Sequence, residues 1–115
     1  MSSRVVVVGH CASGKTTLVE RLKALGVGAS AVAQEHSDID DLWDHYSPDI
    51  VIFLDVSLEA VRQRRANPDW PNWIYELQSE RLDAARARAD LVVDTDTHDA
   101  DATLHAVLAH LSLSS

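Results

Sequence analysis

Eight consecutive residues, Gly9-His10-Cys11-Ala12-Ser13-Gly14-Lys15-Thr16, follow the pattern glycine, any four residues, glycine, lysine, serine or threonine. Each part suits phosphate chemistry. The glycines let the backbone curl so that successive N–H groups converge on one anion. The lysine brings a point charge to the outer phosphates of a polyphosphate, and the Thr16 hydroxyl is placed to ligate magnesium. A helix starting near Gly14 adds the positive end of its dipole. At ordinary residue usage, chance yields this pattern on the order of once in a few hundred chains of this length. The spacing therefore assigns Gly9, His10, Cys11, Ala12, Ser13, Gly14, Lys15, Thr16 and Thr17 to a phosphate cradle, a P-loop (Walker A motif).

Such a cradle needs a strand to present it and a helix to follow. Residues 4–8 are an arginine and four valines running into Gly9, the pattern of a strand buried on both faces of a parallel sheet. Leu18, Val19, Leu22 and Leu25 then repeat at helical spacing, and Gly26 stands where a left-handed C-terminal cap is wanted. Residues 27–33 read as a short strand of small side chains. Ser37 or Asp38 can cap a second helix, whose Ile39, Leu42, Trp43 and Tyr46 form an i, i+3, i+4, i+7 stripe expected in the core, before Pro48 stops it. Residues 50–54 give the strongest strand pattern, ending at Asp55, with Ser57 placed to cap a helix carrying Leu58 and Val61. Two prolines interrupt Asn67-Pro68-Asp69-Trp70-Pro71-Asn72, and a longer helix follows with Ile74, Leu77, Leu82 and Ala85 on one side. Leu91, Val92 and Val93 make a last strand ending at Asp94, and Leu104, Val107, Leu108 and Leu111 mark an amphipathic terminal helix. Strands alternating with helices imply an α/β fold: a three-layer α/β/α sandwich around a small, mainly four-stranded parallel sheet, with ligands at the carboxyl ends of the strands. Those ends carry Gly9, Glu35, Asp55 and Asp94.

Composition narrows the partners. The 115 residues suit one nucleotide-binding domain, 1–115. A formal net charge of -8 argues against general nucleic-acid binding, which needs clustered cations. Six of the eight arginines nevertheless fall between Arg62 and Arg88, against four acids in the same stretch, so an anion could be held there. Cys11, the single cysteine, reads as a small residue fitting a tight loop. No run approaches the ~20 apolar residues of a membrane span and no signal peptide is evident, so a cytoplasmic protein with no membrane partner is expected. The six histidines lack paired ligand spacing, so no zinc site is expected. Asp38, Asp40, Asp41 and Asp44 read as a solvated helix face, Asp38 also being near enough to Glu35 to support it. Trp70 and Trp73 bracket the proline segment, either anchoring it or covering a ligand.

Beyond the cradle, the run Pro48-Asp49-Ile50-Val51-Ile52-Phe53-Leu54-Asp55-Val56-Ser57-Leu58-Glu59-Ala60-Val61-Arg62-Gln63-Arg64-Arg65 resembles the fourth strand and following helix of nucleoside and nucleoside monophosphate kinases, including thymidylate kinase and deoxynucleoside kinases. In those enzymes this unit delivers arginines to a lid over ATP. The resemblance implies a lid-like segment at about 62–73, with Arg62 and Arg65 packing on the base or touching its phosphates, Arg62 fitting the stacking role best; the alternative is a solvated helix face. Gln34-Glu35-His36-Ser37 resembles the acid turn after the third strand of those kinases, which implies that Glu35 assists magnesium and the acceptor hydroxyl, with His36 in place of the usual arginine. Ala89-Asp90-Leu91-Val92-Val93-Asp94-Thr95-Asp96 resembles the last strand and adenine-cupping loop of shikimate and gluconate kinases. Only about nine residues separate Leu25 from Glu35, so the usual acceptor region is missing. The implied sheet order runs from residues 27–33 at one edge, through 5–8 and 50–54, to 91–93.

The expectation is an ATP-binding protein, or one for another nucleoside triphosphate, that uses Mg2+ and transfers the γ-phosphoryl group to a small acceptor. Lys15, Glu35, Arg62 and Arg65 are its catalytic candidates, and Thr16, Glu35 and Asp55 its metal candidates. The alternatives are a non-catalytic nucleotide-binding module and a simple ATP hydrolase. The oligomeric state is left open.

Overall fold

The four valines preceding Gly9 are buried without alternation because helices cover both faces of the strand that carries them. In the computed structural model, which describes residues 4–114, this strand is β1 (Arg4–Gly9). It is followed by α1 (Lys15–Ala24), β2 (Gly28–Ala31), short 3₁₀ helices at Gln34–His36 and Leu42–Tyr46, β3 (Ile50–Asp55), α2 (Leu58–Arg64), α3 (Asn72–Arg88), β4 (Leu91–Asp94) and α4 (Ala100–Ser114). All pairings are parallel and the strand order is β2-β1-β3-β4, as expected. Val5 and Val7 face a core built with α1 and α4, through Leu18, Leu22, Leu104 and Val107. Val6 and Val8 face the opposite core, built with α3 and the 3₁₀ segment through Leu82, Ala85 and Trp43. The architecture is a three-layer α/β/α sandwich.

Side chains outside the strands lock their register. Asp49 accepts from Arg4 N at 2.7 Å while its own N–H donates to Arg4 O at 2.9 Å. Asp90 does the same for β3, accepting from Val51 N at 2.8 Å and donating its backbone N–H to Val51 O at 2.8 Å. Ser57 caps α2 by accepting from Ala60 N, and Gly26, at φ 84°, turns the chain after α1.

Two local expectations are corrected. The apolar stripe of residues 39–46 does not form a regular α-helix. The Gln34 carboxamide binds both ends of this segment, donating to Ile39 O at 2.6 Å and accepting from Trp43 N at 3.1 Å, while the Ser37 hydroxyl accepts from Ile39 N. These side-chain partners compete with helical ones. Only the turn Leu42–Tyr46 remains helical, with Trp43 buried and Ile39 and Tyr46 exposed. Leu25 is likewise exposed, because α1 ends at Ala24 and Leu25 becomes its C-terminal cap. In α3, Leu82 and Ala85 are buried together with Gln78, whereas Ile74 and Leu77 are only partly covered. No helix among the described residues is long and apolar enough to cross a membrane.

Candidate functional site

The cradle forms where β1 runs into α1. At Gly9 an added Cβ would lie 2.5 Å from Leu54 O and 2.8 Å from Ser13 Oγ, so β3 presses directly on the loop. Ala12 and Gly14 both take positive φ, 62° and 96°, and Ser13 N donates to His10 O at 3.2 Å. Backbone curled in this way turns successive N–H groups toward one concavity. Among the described residues no side chain caps the first turn of α1: Gly14 offers none, and no acid stands there. Ser13 Oγ is buried without a partner. An uncapped helix start beside a curled loop and an unfilled hydroxyl suits a phosphate group.

Lys15 reaches back across this loop. Its Nζ donates to Gly9 O at 2.9 Å and His10 O at 3.1 Å, and forms an ion pair with Glu35. The ammonium thus has one acceptor for each of its three protons. Glu35 is delivered by the 3₁₀ turn after β2 and is only 2% exposed; its Oε1 has no partner. From α3, Arg81 donates to Glu35 O at 3.3 Å and to Asp38 Oδ1 at 2.9 Å, tying the acid turn in place.

On the other side, a cleft of about 580 Å³ opens between the loop residues Ala12, Ser13 and Gly14, the side of α1 at Thr17, and the segment 95–100 after β4. Arg64 spans its mouth. One guanidinium nitrogen donates to Ala12 O at 2.9 Å and Thr95 Oγ1 at 3.1 Å, and the other to Thr95 O at 2.6 Å.

No family model and no curated protein matches this sequence. Among solved structures, the chain is similar to a shikimate kinase from Acinetobacter baumannii in complex with shikimate, at 15% identity and a TM-score of 0.63, covering 99% of this chain and 94% of the other. The fold is that of a shikimate kinase. At this identity the likeness speaks for the fold alone.

The remaining candidates separate by position. Thr16 and Thr17 are exposed at the start of α1, and Thr17 lines the cleft. Arg62 and Arg65 turn toward the proline segment: Arg62 Nε donates to Trp70 O at 2.9 Å, and the Arg65 guanidinium lies 4.1 Å above the Trp70 ring. Trp70 is thereby pinned, while Trp73 stays 65% exposed. Asp55, half-buried at the end of β3, pairs with Arg86 at 3.1 Å, and Arg86 also lies over Phe53. Among the described residues no three His, Cys, Asp or Glu side chains gather as a metal site. The oxygens of Thr16, Glu35 and Asp55 still suit magnesium, which keeps several waters and commonly takes the rest of its shell from phosphate.

His10 and Cys11 are anchored to α3. The His10 ring stacks on Tyr75, with centroids 4.3 Å apart and planes 7° from parallel, and its Nε2 meets Ser79 Oγ at 2.8 Å. Burial lowers the His10 pKa from its ordinary value and outweighs the nearby Asp55 and Glu35 charges, so the ring is neutral near pH 7. The backbone N–H of Cys11 donates to Gln78 Oε1 at 3.3 Å. Five residues at the site, Arg64, Tyr75, Gln78, Ser79 and Arg81, were not singled out from the sequence. For Arg64 a signal existed: it belongs to the arginine-rich stretch 62–88 in which an anion could be held.

Proposed function

We propose that the protein binds a nucleoside triphosphate, ATP by preference, together with Mg2+, and transfers its γ-phosphoryl group to a small acceptor. The observation carrying this reading is Lys15, whose ammonium is held at the mouth of the curled loop by two loop carbonyls and the Glu35 carboxylate. A cation held in register with converging N–H groups is what an outer phosphate requires, and positioning plus charge neutralisation is nearly all that phosphoryl transfer asks of a protein. In this reading the base lies in the cleft beside Arg64, with the triphosphate running along the loop toward Lys15. Thr16 holds the metal ion with help from Glu35 or Asp55. Glu35 also faces the acceptor side, where it orients a hydroxyl or takes its proton, and Asp38 and Arg81 border the same region. Arg62 and Arg65 act through the lid-like segment at about 62–73. When bound, the metal ion neutralises the charge that develops on the transferring group.

A second reading, a nucleotide-binding module without turnover, is favoured by one observation: both Arg62 and Arg65 are already committed to Trp70. Glu35→Gln separates the two, since it keeps size and hydrogen bonding but removes charge. A catalytic Glu35 predicts ATP affinity within a few fold of wild type and turnover reduced by ~100-fold. Wild-type ATP loss no faster than buffer, with every acceptor tried, supports the module. Wild-type turnover that survives the substitution removes Glu35 from the mechanism.

A further inference from the structure

The two outermost variable residues of the cradle, His10 and Cys11, are both fastened to one stripe of α3. Tyr75, Gln78 and Ser79 stand at i, i+3 and i+4 and meet them by ring stacking, an amide contact and a hydroxyl contact. Gln78 is the unusual member. A glutamine on a helix face is ordinarily solvated, yet this one is 3% exposed, buried along the same helix as Leu82 and Ala85. Burying an uncharged amide costs free energy unless both its ends are used. Its Oε1 is used by Cys11 N, while its Nε2 donates to none of the described residues and is not sealed from solvent, so it is free to meet a ligand.

We propose that the Gln78 amide group is a donor to the terminal phosphoryl of the bound nucleotide, an inference that rests on the nucleotide-binding reading above. Cys11 N is a donor, so the oxygen end of the carboxamide faces the loop backbone, and the nitrogen, only about 2.3 Å from that oxygen, lies at the same edge with two protons to give. The edge is the right one. The base cleft adjoins residues 12–14 and Thr17, whereas Lys15 Nζ lies against the carbonyls of Gly9 and His10. A nucleotide's terminal phosphoryl is its point farthest from the base. It therefore falls at residues 9–11, where both Lys15 Nζ and the Gln78 carboxamide reach the loop. The His10–Tyr75 stack and the Ser79 contact keep α3 and the loop in fixed register, so the carboxamide is placed before any ligand arrives. A fixed neutral donor of this kind strengthens when charge builds on the transferring oxygens.

The test compares affinity for ADP with affinity for ADP plus aluminium fluoride, a mimic of the transferring phosphoryl, by calorimetry with Mg2+ present and no acceptor. In wild type, fluoride should tighten ADP binding. Gln78→Met removes the donor at similar length, and Gln78→Glu keeps an acceptor for Cys11 N while removing the donor, so one variant covers a folding failure of the other. Both should bind ADP within about threefold of wild type and lose at least tenfold of the fluoride-dependent gain. Glu80→Ala, an exposed position on the same helix, should keep the gain. An unchanged gain in a folded Gln78 variant overturns the proposal. Wild type that fails to bind ADP at all overturns the nucleotide reading beneath it, a different and recognisable failure.

Discussion

Arg64, exposed at the end of α2, holds its place at the cleft through its partners, bridging Ala12 to Thr95 with three hydrogen bonds. Arg62, within α2, and Arg65, the C-terminal cap of that helix, meet Trp70 instead. The sequence resemblance points at the arginine cluster but not at a member of it, because three arginines within four positions are indistinguishable until their partners are known. The geometry makes the three separable. Arg64→Ala is expected to weaken Mg-ATP binding by about tenfold, the scale of a lost charge-assisted contact. Arg62→Ala and Arg65→Ala should instead loosen the proline segment, with smaller effects on affinity and greater proteolytic cleavage near Trp70. Titration of the three variants checks this, and equal losses of affinity would return the base-stacking role to Arg62.

At the scale of elements, strands were legible and the polar organisers were not. A run such as Ile50 to Leu54 admits few arrangements other than a buried parallel strand, because it can satisfy its apolar side chains only with a covering layer on each face. Residues 39–46 carry helix-like apolar spacing with equal clarity, yet the segment is governed by Gln34, one fully buried side chain that takes Ile39 O and Trp43 N. Periodicity is blind to such a contact. The same blindness hid the working face of α3, where Gln78, Ser79 and Arg81 look like solvent-facing residues and instead meet the loop and the acid turn. Gln34→Leu, close in volume, leaves both backbone groups without a partner and should destabilise the fold by ~2 to 4 kcal/mol, measured by chemical denaturation. Because the affected segment carries the acid turn, Mg-ATP turnover should fall before the sheet unfolds. A loss under ~0.5 kcal/mol would show that water or a regular helix replaces Gln34 at no cost.

Across the whole molecule, the arginine-rich stretch acts as a set of ties between layers rather than as a free anion surface. Arg64 joins α2 to the cradle, Arg81 joins α3 to the acid turn, and Arg86 joins α3 to Asp55 at the end of β3. These ties converge on the carboxyl edge of the sheet, where strand order β2-β1-β3-β4 sets Gly9 beside Leu54, with Asp55 one residue further along β3. The central claim is that this edge is built to hold a nucleoside triphosphate against Lys15. Lys15→Ala alone would leave a buried Glu35 carboxylate unpaired, a loss of several kcal/mol that could be mistaken for lost binding. The decisive measurement is therefore calorimetric titration of Mg-ATP into wild type, Glu35→Gln, and Glu35→Gln combined with Lys15→Ala, each verified as folded. The account predicts saturable binding to wild type, affinity within a few fold for Glu35→Gln, and at least a further tenfold weakening when Lys15 is also removed. Absence of saturable binding to wild type, or equal affinities with and without Lys15, would contradict it.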